Sequence, residues 1–132
     1  MADSAASSRT PPPDALGEID LNVLHEFVSG SLATLYAREV HYSHQATWCP
    51  EWWRHDDAVE VLELLRLGRL AIDDWLSWSD WWALHARPHM AALLDPDGTF
   101  KFCSARNGHK DMLEPLPCTP PPPALRAAPA AA

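Results

Sequence analysis

The chain has 132 residues, 47% of them hydrophobic, with 10 basic against 18 acidic side chains and a net charge of −8. That length holds one domain, and the acidic balance argues against a protein that coats nucleic acid or an anionic membrane, where Lys and Arg neutralise phosphates. Cys49, Cys103 and Cys118 are an odd number at wide spacing, which does not make a disulfide framework, so reduced thiols and a cytoplasmic location are expected.

The opening MADSAASSRTPPPD has neither a basic start nor an apolar core, so no signal peptide is expected. No apolar run reaches the length of a membrane span. Proline marks the boundaries: Pro11, Pro12 and Pro13 near the start, and seven prolines between Pro115 and Pro129. Residues 1–16 read as a disordered leader, 17–112 as a helical domain, and 113–132 as a disordered Pro/Ala-rich tail of polyproline character.

Three helices are predicted in the domain. The first runs from an N-cap at Asp20 to about Val40, with Leu21, Leu24, Val28, Leu32 and Leu35 recurring at helical spacing. The second begins after His55, with Asp56 and Asp57 favouring its N-terminus. It turns Val59, Leu62, Leu65 and Ile72 inward and Glu60, Glu63, Arg66 and Arg69 outward. The third opens near Ser77, where Ser77-x-x-Asp80 resembles a capping box, and continues to Leu94 with Pro88 kinking or restarting it. The short link between the last two predicts antiparallel packing. Asp95-Pro-Asp-Gly98 is a turn by composition, and the alternation of TFKFC after it predicts a short extended arm. The fold class is therefore all-α: three helices, a short extended C-terminal arm and disordered ends.

His85 and His89 are four apart, the spacing by which one helix face offers two metal ligands. Cys103 and His109 follow as a Cys-x5-His pair, and these four make a complete tetrahedral zinc set. Cys49 and His55, with the same Cys-x5-His spacing, are alternates. The competing reading makes the histidines core-edge groups and the cysteines plain buried thiols. The helix segment lacks the glutamate of zinc hydrolases, and neither a Gly-rich phosphate loop nor a G-x-S-x-G elbow is present. Enzymatic chemistry is thus disfavoured, and a small metal-dependent enzyme ranks last.

Seven tryptophans are the other conspicuous feature. On a regular helix Trp75, Trp78 and Trp82 form one inward stripe, over which Trp48, Trp52 and Trp53 close, while Trp81 faces elsewhere. Trp81, Trp52 and Trp53 are the candidate interaction residues.

WCPEWWRH, the leucine-rich helix, WWALHARPHMAALLDPDGTFKFC and GHKDMLEPLPCTPPPP together resemble an actinobacterial domain-of-unknown-function family, number 4913. Its members are small proteins often encoded on plasmids, conjugative elements and phages. The resemblance spans about residues 25–125. It attaches no role to the matching positions Trp48, Cys49, Trp52, Trp53, His55, Trp81, Trp82, His85, His89, Cys103 and His109. Two departures stand out: the second helix is mainly leucine where the family is richer in Trp, and the entry to the third is Trp75-Leu-Ser-Trp. The resemblance implies a non-enzymatic accessory protein of a mobile element, with partner proteins from the same element. The alternative is a DNA-associated factor in transfer or replication.

Overall fold

A computed structural model describes residues 18–125. The expected leader, 1–16, and the end of the tail, 126–132, lie outside the described residues. The domain is built from α1 (21–35), α2 (Asp56–Leu70) and α3 (75–94), with a 3-10 turn at Trp52–Arg54 leading into α2. Among the described residues there is no strand, and no helix is long and apolar enough to cross a membrane.

Helix α1 starts where the sequence predicts. The Asp20 carboxylate accepts from the backbone N–H groups of Asn22 at 2.9 Å and Val23 at 3.3 Å, satisfying donors that a helix start leaves free. Val28–Leu32 forms a wider π turn. Here the Ser29 hydroxyl donates back to the His25 carbonyl at 2.7 Å, a bond that loosens helical geometry. The helix ends at Leu35 instead of near Val40. Glu39 is the reason: its carboxylate accepts from the N–H groups of His41 and Tyr42, giving this backbone a local turn in place of another helical one.

Helix α2 turns Ala58, Leu62 and Leu65 into the core. Glu63, expected to face outward, is 7% exposed. It is tolerated there because the Arg66 guanidinium, one turn on, donates to both carboxylate oxygens at 2.6 and 3.0 Å.

Helix α3 starts two residues earlier than expected. Asp74 is its N-cap and Ser77 the reciprocal partner, so Ser77 closes the capping box instead of opening it. Trp81–Ala86 then forms a π turn ahead of Pro88. A proline cannot donate to the carbonyl four residues back and collides with it, and the wider turn relieves that conflict. It also rephases the helix, so that Trp81, Ala86, Met90 and Leu93 share the buried face.

The tryptophan stripe is also corrected. Trp81 is 2% exposed, whereas Trp75 is 81% and Trp78 47% exposed. The Trp81 indole N–H donates 2.9 Å to the Leu65 carbonyl of α2. Gly68 permits this approach, since a side-chain carbon there would lie 3.2 Å from the Trp81 ring. Trp82 packs against Tyr36 of α1, ring centroids 5.8 Å apart. Advancing along α3 from Trp81 to His89, the facing α2 residues recede from Ala71 to Leu64, so the two helices are antiparallel. Of the other candidate interaction residues, Trp52 is buried and Trp53 is 42% exposed.

TFKFC does not form an arm. Successive turns satisfy its backbone locally: Gly98 N–H to Asp95, Lys101 N–H to Gly98 and Cys103 N–H to Phe100 carbonyls. Phe100 consequently drops into the core at 0% exposure.

Candidate metal centre

Two irregular segments meet at the N-terminal end of α2. The first, 47–55, is anchored through Thr47. Its N–H donates to the Leu94 carbonyl at the end of α3, and its hydroxyl donates to the Cys103 carbonyl, each at 2.9 Å. The second, 103–109, folds back on itself. Ser104 and Gly108 exchange backbone hydrogen bonds at 3.1 and 2.8 Å, and the Ser104 hydroxyl accepts from the Asn107 N–H. Gly108 has φ +81°, a left-handed conformation suited to glycine. The hairpin turn it completes sets Cys103 and His109 side by side.

The structure brings together Cys49, His55, Cys103 and His109. One ligand atom from each lies within 4.8 Å of the other three. Both Cys-x5-His pairs thus converge, Cys103 and His109 meeting the residues that the sequence ranked as alternates. His85 and His89 lie elsewhere, on the α3 surface against Leu64, Leu65 and Gly68. They are not members of this cluster.

The separations test the fit to a metal. Cys49 Sγ is 3.4 Å from His109 Nδ1, Cys103 Sγ is 3.5 Å from His55 Nε2, and Cys103 Sγ is 3.6 Å from His109 Nδ1. In a tetrahedral zinc site, with Zn–S about 2.3 Å and Zn–N about 2.05 Å, sulfur and nitrogen stand about 3.5 Å apart. Cys103 Sγ faces two ring nitrogens, and two sulfurs converge on His109 Nδ1, so the four donor atoms share one centre. Cys103 Sγ also accepts from the Lys110 N–H at 3.4 Å, a bond that steadies a thiolate ligand.

Burial matches a closed site. Cys49 is 0% and Cys103 5% exposed, and both histidines are half-buried. His55 occupies the N-cap of α2 without making a capping bond, although Ser, Thr, Asp or Asn would serve that position better. Its ring packs edge-on against Phe100 and His109, with centroids 4.9 Å away in each case. Thr47 and Phe100 are the supporting residues that sequence reasoning missed, because neither carries a local signal.

Burial here favours the neutral forms of Cys49 and His55. Burial and the neighbouring Cys103 push the Cys49 thiol up to about 12. Burial, and secondarily the nearby His109, hold the imidazolium form of His55 below its ordinary 6.5. A divalent ion reverses the first effect by stabilising thiolate, and the second leaves His55 neutral and able to ligate.

Two predictions arise from this geometry. A folded-state pKa below the unfolded value means that His55 contributes stability above pH 6.5, and that this is lost as pH falls through its folded pKa. Metal release runs in the same direction, because protons compete for both imidazoles and both sulfurs. A zinc ion held by these four groups at neutral pH should be released as pH falls below 6.5, read with a chromogenic zinc indicator. Secondly, Gly108→Ala should weaken zinc binding about tenfold in chelator competition, left-handed backbone costing an L-residue ~1–2 kcal/mol. A Cβ there meets nothing within 4 Å, so the loss would report on backbone strain alone.

The family model described as a domain of unknown function (DUF4913) matches residues 22–122. No curated protein and no solved structure matches the chain.

Proposed function

The chain belongs to the DUF4913 family, and we propose that it is a non-enzymatic accessory protein whose fold is closed by one structural zinc ion held by Cys49, His55, Cys103 and His109. The observation that carries this reading is the convergence of two Cys-x5-His segments at tetrahedral sulfur–nitrogen separations. Four protein ligands complete zinc's preferred coordination. A catalytic site keeps one position for water or substrate, so the donor set supports a structural role and speaks against hydrolysis. The net charge of −8 speaks against a phosphate-coating role.

The partner is a protein, encoded on the same actinobacterial plasmid, conjugative element or phage. That context rests on the family resemblance of the Trp/His blocks and the closing proline run. The cytoplasm, which keeps thiols reduced, suits a Cys2His2 site.

Elemental analysis of untagged protein tests the proposal. One zinc per chain, lost to a chelator together with a large fall in melting temperature, is the expected result. Less than about half an equivalent of zinc, with a melt indifferent to chelator, would overturn it.

A further inference from the structure

The end of the domain opposite the metal site carries an aromatic surface that the zinc reading does not use. It lies where α2 gives way to α3, one α2 length or about 22 Å from His55. Trp75, the first residue of α3, is 81% exposed and Trp78, one turn later, 47%. Leu70 and Leu76 beside them are 71% and 53% exposed. Large apolar groups grouped in this way on a small domain mark an interaction site. Ile72, Asp73, Asp74, Trp75 and Trp78 line a shallow groove of about 480 Å³. The guanidinium of Arg69 lies 4.6 Å from the Trp78 ring centroid and 4.8 Å from that of Trp81. It pins the Trp78 ring in place, so the groove has a preformed wall.

We propose that this groove receives the proline-rich segment 115–123 of a second copy of the chain. A groove lined by exposed tryptophans one helical turn apart is the kind of aromatic surface on which polyproline II segments dock. Such a segment is stiff before binding and so loses little entropy. The chain carries one, P-L-P-C-T-P-P-P-P, followed by Arg126. Asp73 and Asp74 supply carboxylates at the edge of the groove to pair with that arginine. Asp74 is held below its ordinary carboxylate value by the Ser77 backbone N–H and is charged at neutral pH. A second copy carries the same segment, and among the described residues the chain's own tail leaves the groove uncovered. Residues 110–124 are exposed throughout, with Leu116 at 86%.

The inference is independent of the metal, and zinc-loaded full-length chain is the material to test it. Light scattering across a concentration series should show a mass rising above the 14.7 kDa monomer. That rise should vanish in Trp75→Ala and in a full-length variant with Pro120, Pro121, Pro122 and Pro123 all changed to Ala. A labelled peptide of residues 113–126 should bind the latter variant, and adding Trp75→Ala should weaken it at least about tenfold, as loss of an aromatic anchor does. Arg126→Glu in the peptide should weaken binding severalfold at low salt and less at high salt. A monomeric chain with no peptide binding would overturn the proposal, as would peptide binding indifferent to Trp75. A monomeric full-length chain that excludes the peptide, while the proline variant binds it, would assign the groove to the chain's own tail and overturn the role of the second copy.

Discussion

Cys103→Ser is expected to strip the zinc and, with it, most of the stability of the domain. Segments 47–55 and 103–109 have almost no regular structure of their own. They are joined by the proposed ion, one Thr47 hydroxyl bond and the packing of Phe100. Structural zinc in small domains binds with an apparent ~10–16 kcal/mol, at least as large as the ~5–15 kcal/mol net stability of a typical domain. The variant should therefore retain less than a tenth of the zinc and lose its cooperative melt, or melt at least about 20 °C lower by circular dichroism. His85→Ala and His89→Ala should keep full zinc, because neither ring joins the cluster. Zinc loss in those two variants, with Cys103→Ser unaffected, would move the site to α3.

Trp81→Ala is the second large effect. Its ring is buried between α2 and α3, touches the space left by Gly68 and donates to the Leu65 carbonyl. Removing it opens a cavity beside Gly68, where α3 packs on α2. Large-to-small changes of this kind cost ~3–5 kcal/mol, or a fall of at least about 12 °C in Tm for a domain near 100 residues. Trp75→Ala, at 81% exposure, should change stability by no more than about 0.5 kcal/mol. Equal effects from the two would contradict the assignment of Trp81 to the core and Trp75 to the surface.

Local signals made much of the fold readable. Asp20 announced the start of α1, Asp56 and Asp57 that of α2, and Asp95-Pro-Asp-Gly98 a turn. Each of these is decided by residues within one helical turn of the event. The beginning of α3 misled because Ser77 is as good an N-cap as it is a capping-box partner. Only the extended backbone of Asp74 separates the two. The inward face of α3 misled because Trp75, Trp78 and Trp82 do share one face of a regular helix, but the face that packs on α2 is the one carrying Trp81.

The metal site was half legible. Its repeated Cys-x5-His spacing is plain in the sequence, and the helical spacing of His85 and His89 competes with it on equal terms. What separates them is long-range. Thr47 ties the first Cys-x5-His segment both to the end of α3 and to Cys103, while the packing of α3 on α2 turns His85 and His89 toward Gly68. No pattern within either segment encodes those contacts. His55 is the exception: an uncapped histidine at a helix start is a local conflict, of the kind that marks a functional position.

X-ray absorption at the zinc edge, on untagged full-length protein, addresses the central claim most directly. Two sulfur neighbours at about 2.3 Å and two imidazole nitrogens at about 2.0 Å are expected. A first shell containing one sulfur and three imidazoles, as His85, His89, His109 and Cys103 would provide, would contradict the account, and so would one built mainly of oxygen.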